Sequence, residues 1–258
     1  MKDKFGDITL RHENHIAVLE IDRPPHNHVS VELMRDLADA LDIIDVEKDM
    51  RVTVLCSAGK NFCAGADLVA PSGIASPGAG PGINALYVEA VRLFAAKKPI
   101  VAAVQGAAVG AGLGLALVAD FRIAAPDARF TANFVKIGFH PGFGITHTLP
   151  RVVGLQRAQL LCLTGRRIKA DEALAWGLAD EVAEDVRGAA MRLAAEIAEN
   201  APLAVQSTRA TFRAELAAAV RAQTDHEFKE QSWLRNTADY KEGVRAVAER
   251  RAGNFTAS

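Results

Sequence analysis

Two glycine-rich turns are the stretches of this sequence best placed to do chemistry: "GKNFCAGADL" at 59–68 and "QGAAVGAGLG" at 105–114. Each follows an apolar run that reads as a strand and opens one that reads as a helix. A helix that starts this way leaves its first backbone N–H groups without intrahelical partners, and its dipole adds partial positive charge there. Two such N-termini side by side would make an oxyanion hole, a pair of donors aimed at a carbonyl oxygen that gains negative charge. Small residues suit the task, because a side chain would block the carbonyl's approach. The same turns also fit a plainer role as tight corners of a packed core, and the residues alone leave both readings open.

Other chemistries lack their signatures. A dinucleotide fingerprint needs glycines at relative positions one, three and six. Gly110 and Gly112 supply the first two, but Leu115 stands at the third. There is no P-loop lysine and no G-x-S-x-G nucleophile elbow. His26 and His28 flank Asn27 without H-E-x-x-H or a carboxylate cluster, so no metal is expected there. Cys56, Cys63 and Cys162 are odd in number and have no C-x-x-C spacing, which argues against a disulfide framework and fits a reducing cytoplasm. Thirty basic and thirty-one acidic residues, with no long run of one sign, give no support to nucleic acid or an anionic membrane as partner. The first residues hold no apolar signal segment, so a cytoplasmic protein is expected.

The elements that must position the two turns alternate between strand and helix. "ITLRHENHIAVLEID" reads as two antiparallel strands turning at "HEN". Ser30 is placed to cap a helix over 31–46, with Val31, Met34, Leu37, Leu41 and Ile44 on one face. "RVTVLC", "IVAAV", "FRIAA" and "ARFTA" read as further strands. Residues 99–119 carry no charge and are long enough to span a bilayer. Pro99 and Gln105-Gly106 punctuate that run, however, so a strand followed by a buried helix is the better reading. Residues 71–84 hold four glycines and three prolines, which suits either a surface insertion or a cover over a pocket. From Gly154 onward the pattern is helical, with long segments over 186–199, 202–221 and 224–236. An α/β core over 1–200 with a helical region over 201–258 is expected.

"GKNFCAGADL" and "KKPIVAAVQGAAVGAGLGLALVADFRIAA" closely resemble the two signatures of the crotonase superfamily, the enoyl-CoA hydratase/isomerase group. "GFHPGFGITHTLPRVVG", "LTGRRIKADEALAWGLADEV" and "EGVRAVAERR" continue the likeness in order. The resemblance implies a spiral of ββα units with a C-terminal helical trimerisation region, assembled as a homotrimer or a dimer of trimers. It implies an acyl-CoA ligand and no cofactor beyond the coenzyme A thioester itself. Carried over by motif, Ala66 and Ala111 would supply the oxyanion-hole N–H groups. Ala64 and Leu68 would contact the CoA adenine portion, and His26 would lie near the CoA phosphates.

The likeness fails where the hydratases of this family carry two glutamates, a pair suited to activating water and managing the proton at the α carbon. The first position is Gly114 and the second is Phe134, and no glutamate occurs between Glu89 and Glu172. Other branches place an aspartate where Gly142 stands. The polar groups left near these positions are His140, Glu89 and Tyr87 as candidate proton carriers. Asn133 can orient an oxygen but takes no proton. Ordinary hydratase activity is therefore expected to be weak or absent, with a non-catalytic acyl-CoA binder as the alternative.

Overall fold

The computed structural model describes residues 3–66 and 84–258. The chain opens with strands β1 (Lys4–Phe5), β2 (Ile8–Glu13) and β3 (Ile16–Ile21). β2 and β3 form an antiparallel hairpin whose two turn residues, Asn14 and His15, both have positive φ, the geometry that matches the twist of paired strands. Helix α1 (Val31–Val46) starts where Ser30 accepts a hydrogen bond from the Leu33 N–H. The residues of its expected apolar face are all buried. β4 (Val52–Ser57) follows, then α2 (Ala85–Phe94), β5 (Ile100–Val104), β6 (Ala107–Val109) and α3 (Ala111–Val118). The uncharged 99–119 run is thus two strands and one short helix, and among the described residues no helix is long and apolar enough to cross a membrane.

β7 (Phe121–Ala124) and β8 (Arg129–Thr131) lead into a 3₁₀ helix at Asn133–Ile137. Then come α4 (Ile145–Val153), α5 (Leu155–Thr164), β9 (Arg167–Lys169), α6 (Ala170–Ala175) and β10 (Glu181–Val182). Among the described residues, seven strands form one sheet in the order β1-β2-β3-β4-β5-β7-β10, parallel from β3 onward. β6, β8 and β9 form a second, smaller sheet. Two successive passes, β5–β6–α3 and β7–β8 with the 3₁₀ helix, each lay one strand in the large sheet and the next in the small one before a helix.

Alternation along the central strands sorts their side chains into two cores. Ile16, Val18, Val52, Val54, Val101 and Ala103 face α7 (Val186–Ala198), which meets them with alanines 189, 190, 194 and 198. Ala17, Leu19, Leu55, Ala102 and Val104 point the other way, into the larger core with α1, α2 and α3.

Past α7, the expected 202–221 and 224–236 helices are divided differently, as α8 (Pro202–Phe212), α9 (Leu216–Leu234) and α10 (Ala238–Ala248). The break falls at Arg213, whose guanidinium reaches Asp120, and at Glu215, which takes a left-handed φ of 63°. Neither glycine nor proline marks it in the sequence. α9 packs on α2 and α4, and α10 packs on the 3₁₀ helix, so this region closes over the core of its own chain.

Candidate active site

The two glycine-rich turns run in backbone contact. Cys63 pairs with Ala108 in a short parallel bridge, through Cys63 N–H to Ala107 O (2.9 Å) and Val109 N–H to Cys63 O (3.1 Å). Two glycines permit the approach. A Cβ on Gly65, whose φ is +89°, would lie 2.6 Å from Val109 O and 3.9 Å from the Ala111 nitrogen. One on Gly112 would lie 2.1 Å from Cys63 O. Burial pushes the Cys63 thiol up to about 12, so it stays a neutral, fully buried filler.

Peptide planarity then aims the two N–H groups. Gly65 O accepts from Val29 N–H at 2.9 Å, so the Ala66 N–H of the same trans peptide points the opposite way. Gly110 O accepts from Gly114 N–H at 3.1 Å along the axis of α3. The Ala111 N–H is therefore directed back out of the helix start, where no side chain caps it. Both Ala66 and Ala111 line a cavity of about 340 Å³.

Leu86, Phe134, Ile137, Phe139, Phe143 and Val247 give that cavity an apolar wall. Its polar side chains are His28, Asn133, Tyr87 and Gln231, and none of its described lining residues is an aspartate or glutamate. The volumes where carboxylates would project from 114 and 142 are occupied. A Cβ on Gly114 would lie 2.6 Å from Phe143 Cδ1, and that ring is fully buried and edge-on to Phe94. A Cβ on Gly142 would lie 1.9 Å from the Tyr87 hydroxyl and 2.6 Å from Gln231 Nε2.

The Tyr87–Gln231 pair has only one consistent arrangement of protons. Gln231 Nε2 donates to His140 O (3.0 Å) and Pro141 O (3.3 Å), which can only accept. Gln231 Oε1 therefore faces Tyr87, whose hydroxyl donates to it at 2.8 Å. Burial, with Glu227 nearby, raises the phenol's pKa far above its ordinary value, so Tyr87 is neutral and its proton is already engaged. Glu227 lies one turn earlier on α9, fully buried beneath the same 142–146 turn. It accepts from Gly144 N–H (2.8 Å), Thr146 N–H (3.1 Å) and the Thr146 hydroxyl (2.6 Å). Burial outweighs these donors and raises its carboxyl to about 7.

The sequence-named residues divide. Ala64, Ala66, Ala111, Tyr87, Asn133 and Phe134 all line the one cavity. Gly114 lies directly behind its Phe143 wall. Glu89 does not line it, and its carboxylate is held by Arg35 (3.2 Å) and Arg92 (2.7 Å). His140 lines a separate cavity with Trp233 and Leu163, its Nδ1 2.7 Å from Pro141 O. His26 offers Nδ1 to Asn61 at 3.3 Å, outside the cavity wall, while its carbonyl accepts the Ala64 N–H. Leu68 and residues 71–83 of the glycine-proline loop lie outside the described residues. Sequence reasoning passed over Phe143 and Gln231, and weighed His28 only as a metal ligand. The first stands inside the quoted "HPGFG" turn, but nothing in the sequence says that its ring packs on Gly114. Gln231 sits on a helix some ninety residues away, with no motif to announce it. His28 Nδ1 lies 3.1 Å from Gly65 O, which makes it a second support for the Ala66 peptide.

The model of the enoyl-CoA hydratase/isomerase family matches residues 11–258. The chain belongs to that family. It is 41% identical to "Probable enoyl-CoA hydratase EchA14" of Mycobacterium tuberculosis over 213 residues, 82% of this chain and 83% of the relative. It is 34% identical to the 1,2-epoxyphenylacetyl-CoA isomerase of Escherichia coli, over 97% of this chain and 98% of that one. The crystal structure of an enoyl-CoA hydratase/isomerase from Pseudoalteromonas atlantica superposes with a TM-score of 0.87 at 31% identity, covering 97% of this chain and all of the other. The fold is thus the crotonase fold.

Proposed function

We propose that the cavity binds an acyl-CoA thioester with its carbonyl oxygen between the N–H groups of Ala66 and Ala111. The observation that carries this is the backbone contact of the two glycine-rich turns, which leaves both N–H groups at one cavity. Donors fixed in this way stabilise negative charge on the oxygen as the α carbon loses or shares a proton, so the site is suited to forming a thioester enolate. The apolar wall of Phe134, Phe139 and Phe143 takes the acyl group. Family membership and relatives named for CoA thioesters support the same ligand class.

Proton transfer is the step this chain handles differently. With Gly114 and Phe134 at the two acid/base positions, hydration of an ordinary enoyl-CoA falls by about 10²–10⁴ per missing group. An isomerisation in which the substrate's own groups carry the proton suits the site better. A carrier or binder without turnover is the second reading, favoured by the lack of a carboxylate among the described lining residues. Purified protein is incubated with enoyl-CoAs of increasing chain length and with aryl-substituted ones. Conjugated-thioester absorbance is followed while binding is measured by calorimetry. Binding with slow or selective turnover supports the proposal, binding with no turnover across the panel selects the carrier, and absence of binding overturns both.

A further inference from the structure

The hairpin edge of the large sheet brings two imidazoles and a carboxylate together, far from the acyl cavity in the fold. His12 lies near the end of β2, His15 in the turn between β2 and β3, and Asp49 in the loop that leads into β4. One donor atom from each lies within 4.8 Å of the other two. Asp49 divides its carboxylate between them, with Oδ1 at 2.6 Å from His15 Nδ1 and Oδ2 at 3.4 Å from His12 Nε2. We propose that His12, His15 and Asp49 bind one divalent transition-metal ion of the zinc, nickel or copper class.

The backbone holds this arrangement in place before any ion arrives. The β2–β3 ladder pairs His12 with Ala17, and the β3–β4 ladder pairs Ile16 with Val52. Arg51 N–H donates to His15 O at 2.8 Å, tying the Asp49 loop to the hairpin turn. His15 sits at φ 68°, a left-handed conformation that carries its ring back toward Asp49. Zinc bonds of about 2.0–2.1 Å to nitrogen and oxygen need neighbouring donors roughly 3.3 Å apart. The observed spacings of 2.6 and 3.4 Å bracket that value, and His15 Nδ1, which also lies 3.2 Å from Asp49 O, would exchange that contact for the ion.

The donor set decides the class. Two imidazoles and one carboxylate suit zinc, copper and nickel, whereas magnesium and calcium prefer oxygen alone. Three protein ligands leave positions for water, so the ion is held openly at the surface rather than enclosed. Bound there, it would pin the hairpin turn to the α1–β4 loop. The absence of a sequence motif has a simple cause, because Asp49 is more than thirty residues from both histidines.

The test uses full-length protein stripped with chelator and desalted, titrated separately with zinc, nickel and magnesium chlorides by calorimetry. One zinc or nickel equivalent per chain is expected, with no magnesium heat. Cobalt(II) should give visible d–d bands. H12A and H15A should each weaken zinc binding at least tenfold, and D49N should weaken it less, while thermal unfolding in chelator stays unchanged. H147A and H226A serve as controls and should bind as the parent does. Retention of the zinc equivalent in the H12A/H15A double variant, equal affinity for magnesium, or no zinc binding would overturn the proposal. None of these outcomes depends on whether the cavity binds acyl-CoA.

Discussion

The phenyl ring of Phe143 covers Gly114 so closely that a Cβ there would sit 2.6 Å from Cδ1 and 2.7 Å from Cγ of the ring. Gly114, at the position proposed for the first acid/base, is therefore half of a fitted pair rather than an open place for a carboxylate. Restoring the glutamate alone is expected to fail. G114E should destabilise the fold by about 1–3 kcal/mol or more through overpacking, and crotonyl-CoA absorbance should show no gain in hydration. Measurable hydration by G114E alone would show that the ring yields.

Gln231 and Tyr87 both matter to the same wall. Tyr87→Phe removes the hydrogen bond to Gln231 and the backbone bond from Phe143, whereas Gln231→Leu strips the partner from the Tyr87 hydroxyl and from His140 O, while Pro141 O keeps His140 Nδ1 at 2.7 Å. With about 1–3 kcal/mol for each buried polar group left unsatisfied, urea denaturation should show comparable losses in Q231L and Y87F, each well above the scatter of a surface substitution. A negligible loss in either variant would show that the Tyr87–Gln231 pair does not hold this wall.

Asp120 fastens the helical region to the core. Its carboxylate accepts from Arg209 Nε (2.8 Å), from an Arg213 terminal nitrogen (3.0 Å) and from Ile100 N–H (2.8 Å). Burial already lowers the Arg213 guanidinium to about 10. Asp120→Asn leaves two buried cations without their anion and should cost about 3–5 kcal/mol, read as a lowered denaturation midpoint. A shift under a tenth of that would place the stability of α8 elsewhere.

Glu227 predicts a pH dependence of definite sign. Its carboxyl is raised from 4.5 to about 7 in the folded state, so between those values the folded protein holds a proton that the unfolded chain has lost. Stability therefore falls as pH rises from about 4.5 through 7, by up to roughly 3 kcal/mol for a shift of this size. The difference in unfolding free energy between the parent and Glu227→Gln, measured across pH 4.5–8, should carry this slope. A flat difference would mean that the three donors to Glu227 balance its burial.

The two turns that meet at the cavity were legible in the sequence as turns, because they are made of backbone. The turns at 59–68 and 105–114 declare themselves by glycine spacing, and α1 by Ser30 and its apolar stripe. What fills the missing carboxylates was not legible. Phe143 and Gln231 reach the cavity only through tertiary packing, from a turn and from a helix with no chemical motif. The break between α8 and α9 escaped for a related reason. It is set by the reach of Arg213 to Asp120, a contact across ninety-three positions that no local propensity encodes.

The central claim, that Ala66 and Ala111 polarise a thioester carbonyl, is most directly tested by infrared difference spectroscopy of a bound acyl-CoA carrying a ¹³C label at its carbonyl. The parent should shift the labelled stretch to lower frequency than in water. Gly65→Ala, whose Cβ would press on Val109 O, should weaken binding and lose the shift. A bound thioester whose carbonyl stretch is unmoved from its aqueous value would contradict the account.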